Sequence, residues 1–206
     1  MNLTKQLAFL KEYFVPSLKC HEEVFEWIKA ISCRIIIFFL RSASIIRPIS
    51  ENGRLTLAND IVQLEFGING LISACKYSKK SSSLHEAIAS LKSFKNLLFS
   101  SLKDFHSEQA YISMFEPVVI IHHLIVRSNE PDLMLPHTFM NLAEYEYLNY
   151  LSSVLDNLSV DKNHPSLKDL IQGILSEYVK RTQMKNKEKF DPEYPIILKY
   201  FEKIQK

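Results

Sequence analysis

Glycine is scarce in this chain, and its scarcity limits the possible folds more than any other feature of the sequence. Only four of the 206 residues are glycine, which is about 2% against a usual share of about 7%. Folds with many tight turns or phosphate-binding loops need glycine where the backbone takes a positive φ or approaches a ligand closely. Apolar residues instead recur every three or four positions, and no alternating strand pattern competes with them. The chain is therefore predicted to be all-α, with its helices packed as antiparallel bundles.

The boundaries of the helices follow from this periodicity and from the prolines. A proline disfavours the α conformation in the residue before it and cannot donate a backbone hydrogen bond. The pairs Val15-Pro16 and Arg47-Pro48 are therefore expected to end the first two helices, and Pro117 is expected to open a new one. The predicted helices cover roughly 3–14, 17–46, 54–75, 83–99, 107–116, 117–126, 139–158, 165–179 and 191–204.

Two glycines fall inside the predicted helix that begins near Arg54. Each of them, Gly67 and Gly70, costs about 1 kcal/mol relative to alanine in a helix interior. The sequence allows two explanations for the presence of these glycines inside a helix. Either a neighbouring helix approaches closely at these positions, or the helix kinks or ends near Gly70.

The segment 128–137 is the strongest candidate for a boundary between subdomains, because it contains both Pro131 and Pro136. We therefore predict a helical bundle over 1–128 and a C-terminal helical subdomain over 129–206. A chain of this length can also form one continuous domain, and that alternative stays open.

Charge and cysteine content indicate a folded protein of the reducing cytosol. The net charge of +2 is too small to indicate a nucleic-acid surface. The three cysteines form no CxxC pair, and we expect them to be reduced and buried in the core. The apolar run between Arg34 and Arg41 has only six residues, whereas a membrane-spanning helix needs about 20. The N-terminal sequence lacks the basic and apolar regions of a signal peptide, so we expect neither a membrane span nor secretion.

No combination of side chains predicts catalysis, a cofactor or a metal site. His122 and His123 are adjacent, so on a helix they point about 100° apart and are badly placed to share one metal ion. Asp60 and Glu65 lie five positions apart and point in different directions. That spacing favours a buried ion pair between Glu65 and an arginine over acid–base chemistry. We predict no enzymatic activity, and a small helical enzyme that uses His122 or His123 is the alternative.

The C-terminal aromatic residues are predicted to bind a partner protein. Tyrosine combines a large apolar area with a polar group, and it is therefore enriched at protein interfaces. The chain has nine tyrosines, more than a small core requires. The predicted partner-binding residues are Tyr194, Tyr200 and Phe201.

A basic segment lies just before these aromatic residues. It has two interpretations, which are contact with an anionic membrane surface and a solvated helix end where cations are favoured. The cations concerned are Lys180, Arg181, Lys185, Lys187 and Lys189.

Two blocks of sequence resemble a known family. The first is RSASIIRP followed by GRLTLANDIVQLEFGI within 41–68, and the second is EYVKR followed by KEKFDPEYPIILKYFEK within 177–203. In this order and at this separation, the blocks resemble the C-terminal region of the fifth subunit of the conserved oligomeric Golgi complex. The resemblance extends over nearly the whole chain.

The resemblance implies a non-catalytic scaffold among the helical-rod tethering proteins, in which helix bundles stack end to end. It also implies a peripheral protein on the cytosolic face of the Golgi that helps to capture vesicles in intra-Golgi retrograde transport. The family's direct partner is the seventh subunit of the same complex, so that subunit is the expected partner. A subunit of another helical-rod tether, of the exocyst type, is the alternative. Family members are much longer, so we expect a fragment or a shortened protein without their N-terminal coiled coil.

Overall fold

The computed structural model describes residues 3–47, 49–75, 82–128, 130–156 and 165–204. These residues form helices and no β-strand, which confirms the all-α prediction. A π-helical segment over Leu10–Phe14 follows α1, and a 3₁₀ turn over Ile112–Met114 precedes α7. The α-helices are α1 (Leu3–Phe9), α2 (Val15–Ser17), α3 (His21–Ala43), α4 (Glu51–Ala74), α5 (Ser82–Leu98), α6 (Leu102–His106), α7 (Pro117–Arg127), α8 (Pro136–Phe139), α9 (Glu144–Leu155), α10 (Leu167–Met184) and α11 (Tyr194–Ile204).

The backbone divides into two compact units, and α3 contributes residues to both. The predicted domain boundaries, 1–128 and 129–206, say which parts of the chain fold independently. They stay a prediction. They differ from the compact units, because residues 41–49 and 101–128 both cluster with the C-terminal part of the chain. The first unit comprises Met1–Leu40 and Ser50–Ser100, and the second unit comprises Arg41–Ile49 and Ser101–Lys206.

In the first unit, α4 contacts α1, α2, the π-helical segment and α5. A Cβ atom built on Gly67 would lie 2.8 Å from Cδ1 of Leu7 in α1, closer than real Cβ contacts. The missing side chain therefore lets α1 approach α4, which is the first of the two explanations offered for this glycine. The helix does not end near Gly70, since it continues to Ala74.

The predicted end of the first helix is wrong by a few residues. Helical structure passes through Val15-Pro16 and ends at Ser17. The π-helical segment Leu10–Phe14 ends just before Val15, where α2 begins. Pro16 therefore lies in the first turn of a new short helix, where a missing N–H is tolerated.

Some apolar residues of α3 and α4 that recur every three or four positions face outward. Trp27, Ile31 and Phe38 are 57%, 44% and 44% exposed, and Leu55 and Val62 in α4 are also exposed. Apolar residues occur on several sides of α3, so periodicity alone does not select the side that packs on neighbouring helices. The α3 residues that are buried are Val24, Phe25, Ile28, Ile36 and Leu40.

In the second unit, α7 forms the centre of the core. Every residue from Val118 to Val126 is buried, which fits a helix that is apolar nearly all round. Pro117 opens this helix, as predicted. α11 packs against α7, and α10 packs against α8 and α11. The last helix of the chain therefore packs on the buried central helix of this unit.

The apolar run of α3 is flanked by Arg34 and Arg41, and the helix begins with Glu22 and Glu23 in its first turn. These charges interrupt any long apolar stretch. Within the described ranges, no helix combines the length and the apolar character needed to cross a lipid bilayer.

Candidate functional site

An open groove lies between α10 and α11 in the second unit, and predicted site residues line it. It has a volume of about 440 Å³, within the range of about 300–1,000 Å³ that is usual for binding pockets. Two of the predicted partner-binding residues, Tyr194 and Phe201, line it together with Lys180 of the predicted basic segment. The α10–α11 groove is lined by Gln172, Leu175, Ser176, Val179, Lys180, Tyr194, Leu198 and Phe201.

Tyr200 does not line the α10–α11 groove with its neighbour Phe201. Its side chain is almost fully buried, with 2% exposure, and Nζ of Lys203 lies 4.8 Å from the centre of its ring. Burial is the main cause that raises the pKa of Tyr200 to about 12. A ring in this position contributes to the core, and its predicted role in partner binding stays a prediction.

Three of the five cations in the predicted basic segment form ion pairs within the second unit. Nε of Arg181 lies 2.7 Å from Oε1 of Glu177. The other two pairs involve the segment after α7: Lys185 Nζ lies 2.5 Å from Asp132, and Lys187 Nζ lies 2.6 Å from Glu130. These contacts tie the segment to the fold.

The remaining two cations of the segment, Lys180 and Lys189, are exposed. Neither lysine makes an ion pair with the residues that the structure describes, in contrast to Arg181, which pairs with Glu177. The charge available to a membrane surface is therefore smaller than the sequence count suggests. Contact with a membrane stays a prediction.

Arg41 lies in the first resembling block, and the sequence did not reveal its role. Its side chain is almost completely buried, and Nη2 lies 2.9 Å from Oε1 of Glu116 and 3.0 Å from Oδ1 of Asp156. Nη1 donates a hydrogen bond to Ser152 Oγ at 3.3 Å. One guanidinium thus joins the end of α3 to the start of α7 and the end of α9, using the fork geometry that lysine lacks.

Arg47, six residues later in the same block, binds backbone oxygens instead of carboxylates. Nη1 donates to the carbonyl of Leu133 at 2.8 Å, and Nη2 donates to the carbonyls of Ser128 and Glu130 at 3.0 and 2.7 Å. These carbonyls lie at and just after the end of α7, where backbone acceptors lack helical partners. The two arginines of the RSASIIRP block therefore connect the end of α3 and the residues after it to α7, α9 and the segment after α7.

The adjacent histidines are part of the core. His122 is fully buried, with Nε2 at 2.7 Å from the Tyr147 hydroxyl and Nδ1 at 3.3 Å from Ser44 Oγ. Burial lowers the pKa of His122 to about 3, so the ring is neutral. His123 is also buried, and its ring stacks on Phe105 with 6.3 Å between centres. In the part of the chain that the structure describes, no three His, Cys, Asp or Glu side chains are placed to hold a metal ion.

The carboxylates of α4 do not form a common site. Asp60 is exposed, and Glu65 forms an ion pair with Lys92 of α5 at 3.1 Å. The predicted ion pair of Glu65 is therefore present, but its partner is a lysine instead of an arginine and the pair is partly exposed. A pair of this kind contributes about 0 to 1 kcal/mol.

All three cysteines are free thiols, and the prediction that they are buried in the core is wrong, since none of them is fully buried. Cys20 is exposed, while Cys33 and Cys75 are half-buried. Burial raises the pKa of the Cys33 and Cys75 thiols. Both are therefore held in the protonated form, which is the less reactive one.

Two carboxyl groups meet where α11 begins. The Glu193 N–H donates to Asp191 Oδ1 at 3.1 Å, and the Asp191 N–H donates to the Tyr178 hydroxyl at 2.9 Å. Nε of Arg127 lies 3.7 Å from Oε1 of Glu193. Burial and the neighbouring Asp191 raise the pKa of Glu193 to about 7. This arrangement makes the start of α11 sensitive to pH.

Comparison with curated proteins identifies relatives in animals and a plant, all named conserved oligomeric Golgi complex subunit 5. The Mus musculus protein is 31% identical over 197 residues, which cover 94% of this chain and 22% of the relative. The Arabidopsis thaliana protein is 26% identical over 82% of the chain and 18% of the relative. The Drosophila melanogaster protein is 25% identical over 84% of the chain and 21% of the relative.

This chain is a relative of conserved oligomeric Golgi complex subunit 5. The resemblance predicted from the two sequence blocks is thereby confirmed. The chain spans about a fifth of the length of these curated relatives. No family model matches the sequence, and no solved structure matches it.

Proposed function

We propose that the chain acts as a non-catalytic scaffold within the conserved oligomeric Golgi complex. The observation that carries this proposal is the similarity to subunit 5 over 94% of the chain. The fold supports it, since two compact helical units offer surfaces for binding other proteins. In this proposal the protein is peripheral, lies on the cytosolic face of the Golgi and assists vesicle tethering in intra-Golgi retrograde transport.

The other subunits of the complex are the proposed partners, and the seventh subunit is the proposed direct one. The positions of Tyr194 and Phe201 support a protein-binding role, because both line the α10–α11 groove. The buried positions of His122 and His123 argue against the alternative of a small enzyme that uses these residues.

Co-purification tests the proposal. The tagged chain is expressed in cells of its source, and the bound proteins are identified by mass spectrometry, with circular dichroism to show that the purified chain is helical. We expect enrichment of the subunits of the conserved oligomeric Golgi complex, including the seventh, relative to a tag-only control. Enrichment of exocyst subunits from a correctly folded chain would overturn the proposal, and so would the absence of any Golgi subunit.

Localisation provides an independent check. We expect the tagged chain to coincide with a Golgi marker by fluorescence microscopy, and to be released from isolated membranes by high salt, which weakens peripheral electrostatic contacts. A diffuse distribution in cells that contain the other subunits would contradict a role at the Golgi.

A further inference from the structure

We propose that the α10–α11 groove is a docking site for an amphipathic helix of a partner protein that carries an acidic residue beside its apolar face. The inference concerns the chemistry of one surface, and it does not depend on which complex the chain joins. Both walls of the groove belong to the second unit, so the site is complete within that unit.

The two walls of the groove have the spacing that receives a third helix. On the α11 wall, Tyr194, Leu198 and Phe201 are separated by four and three residues. On the α10 wall, the lining residues also recur every three or four positions. Side chains at these intervals form the ridges and grooves into which the side chains of another helix pack. The α10 wall comprises Gln172, Leu175, Ser176, Val179 and Lys180.

The groove combines a buried apolar floor with an accessible rim. Phe201 and Leu175 are buried at 7% and 5% exposure, whereas Leu198 is 37% exposed. A single exposed leucine needs no explanation. Here the leucine lies in a concave surface of about 440 Å³, and such grooves hold the apolar anchors of a bound helix. The polar side chains of Gln172 and Ser176 supply the mixed character of a non-obligate interface.

The charge of the groove selects the chemistry of its occupant. Lys180 is the only charged residue among the eight that line it, and no carboxylate accompanies it. Its neighbour Arg181 pairs with Glu177, whereas Lys180 makes no ion pair with the described residues. An acidic residue on the occupant would complement this cation, and a basic residue there would be repelled.

The test uses two designed alanine-rich helical peptides and the ¹⁵N-labelled chain. Both peptides carry Leu at positions i, i+4 and i+7. One has Glu at i+8, and the other has Lys at that position. Binding is followed by amide chemical shifts in an NMR titration. We expect the acidic peptide to shift the signals of the groove residues and to bind at least about threefold more tightly than the basic peptide.

Three variants make the test specific. We expect Leu198→Glu to weaken binding of the acidic peptide by at least about tenfold, because the apolar contact is lost and like charges meet. Lys180→Glu should reverse the preference, so that the basic peptide binds more tightly. Lys189→Glu makes the same charge change at an exposed lysine outside the groove and should leave the preference unaltered. Unchanged amide spectra away from the substituted residue show that each variant is folded.

Several results would overturn the inference. Equal affinity for the two peptides would remove the role of Lys180, and shifts located outside the groove would place the binding elsewhere. Absence of binding by both peptides would also contradict it. If sedimentation shows that the unbound chain self-associates and Leu198→Glu abolishes this association, the occupant is a second copy of the chain and not a partner helix.

Discussion

At the scale of single residues, the guanidinium of Arg41 connects several parts of the second unit. It joins two carboxylates and a hydroxyl from α7 and α9 in a buried position. In the sequence, this residue limits an apolar run and opens the first resembling block, but an arginine in an apolar run does not reveal its partners. Those partners lie 75 and 115 positions away along the chain, and no local pattern indicates them.

We expect Arg41→Ala to destabilise the protein by about 2 to 4 kcal/mol, because Glu116 and Asp156 would lose their shared partner. Arg41→Lys should have an intermediate effect, since an ammonium cannot reproduce the planar fork. Urea unfolding followed by circular dichroism measures both changes. As a control, Lys92→Ala removes the partly exposed pair with Glu65 and should cost less than about 1 kcal/mol. Equal effects of the two alanine variants would contradict the role assigned to Arg41.

Glu193 makes stability depend on pH near neutrality. Burial and Asp191 raise its pKa from 4.5 to about 7 in the folded state. The folded protein holds the proton of the Glu193 carboxyl group more tightly than the unfolded chain does. The contribution of Glu193 to the free energy of unfolding is therefore complete below pH 4.5 and is lost as the pH rises to 7 and above.

We expect Glu193→Gln to remove this loss, because the amide stays neutral and can donate a hydrogen bond to Asp191. The variant should be more stable than the parent by about 1 to 3 kcal/mol at pH 8, with a much smaller difference at pH 5. Urea midpoints at both values measure it. Glu202→Gln, at an exposed position of α11, is the matched control. Parallel pH profiles for the parent and Glu193→Gln would show that Glu193 does not titrate in this range.

At the scale of helices, Gly67 and Gly70 in the interior of α4 have different surroundings, although the sequence pattern does not distinguish them. A Cβ atom on Gly70 would lie 3.7 Å from the side chain of Lys11, an ordinary contact. A Cβ atom on Gly67 would lie 2.8 Å from Leu7, so that leucine would have to move. Leu7 itself is buried at 3% exposure, which leaves it little room.

We expect Gly70→Ala to stabilise the protein by about 0.5 to 1 kcal/mol, because alanine restricts the unfolded chain and favours the helix. Gly67→Ala should gain less than Gly70→Ala or be destabilising, since the helical gain is offset by the displacement of Leu7. Thermal unfolding of the two variants under identical conditions compares them. A larger gain from Gly67→Ala would contradict the close approach of α1 to α4.

Helix boundaries and helix faces differ in how well the sequence predicts them. Pro117 opens α7 as expected, because the effect of proline on its own turn is local. The outward position of Trp27 was not predicted, since α3 has apolar residues on several sides and only its neighbours decide which side is buried. Tyr200 shows the opposite case, because this tyrosine, predicted to bind a partner, is almost fully buried.

At the scale of the whole molecule, the arrangement of the second unit predicts which parts of the chain fold alone. α11 packs along α7, so a fragment of residues 129–206 lacks the helix that buries its apolar side. We expect this fragment to show no cooperative unfolding transition. A fragment of residues 101–206 retains α7, and it should unfold cooperatively but at a low urea concentration.

The peptide 39–49 supplies the missing arginines to the 101–206 fragment. We expect the added peptide to raise the urea midpoint of that fragment, because Arg41 and Arg47 bind α7, α9 and the segment after α7. A peptide with both arginines replaced by alanine is the control. Cooperative unfolding of 129–206 alone would contradict this view and would support the predicted domain boundary at 128/129.

The sequence by itself determined the helical class, most helix positions and the relation to conserved oligomeric Golgi complex subunit 5, because these depend on local spacing and on the order of residues along the chain. The tertiary structure alone decided which faces are buried, what Arg41 and Arg47 bind, and that Tyr194, Lys180 and Phe201 line one groove. The physical reason is that these features arise from contacts between residues far apart in sequence. Burial, ion pairing and groove shape are properties of such contacts, and a periodic pattern contains no information about the partner.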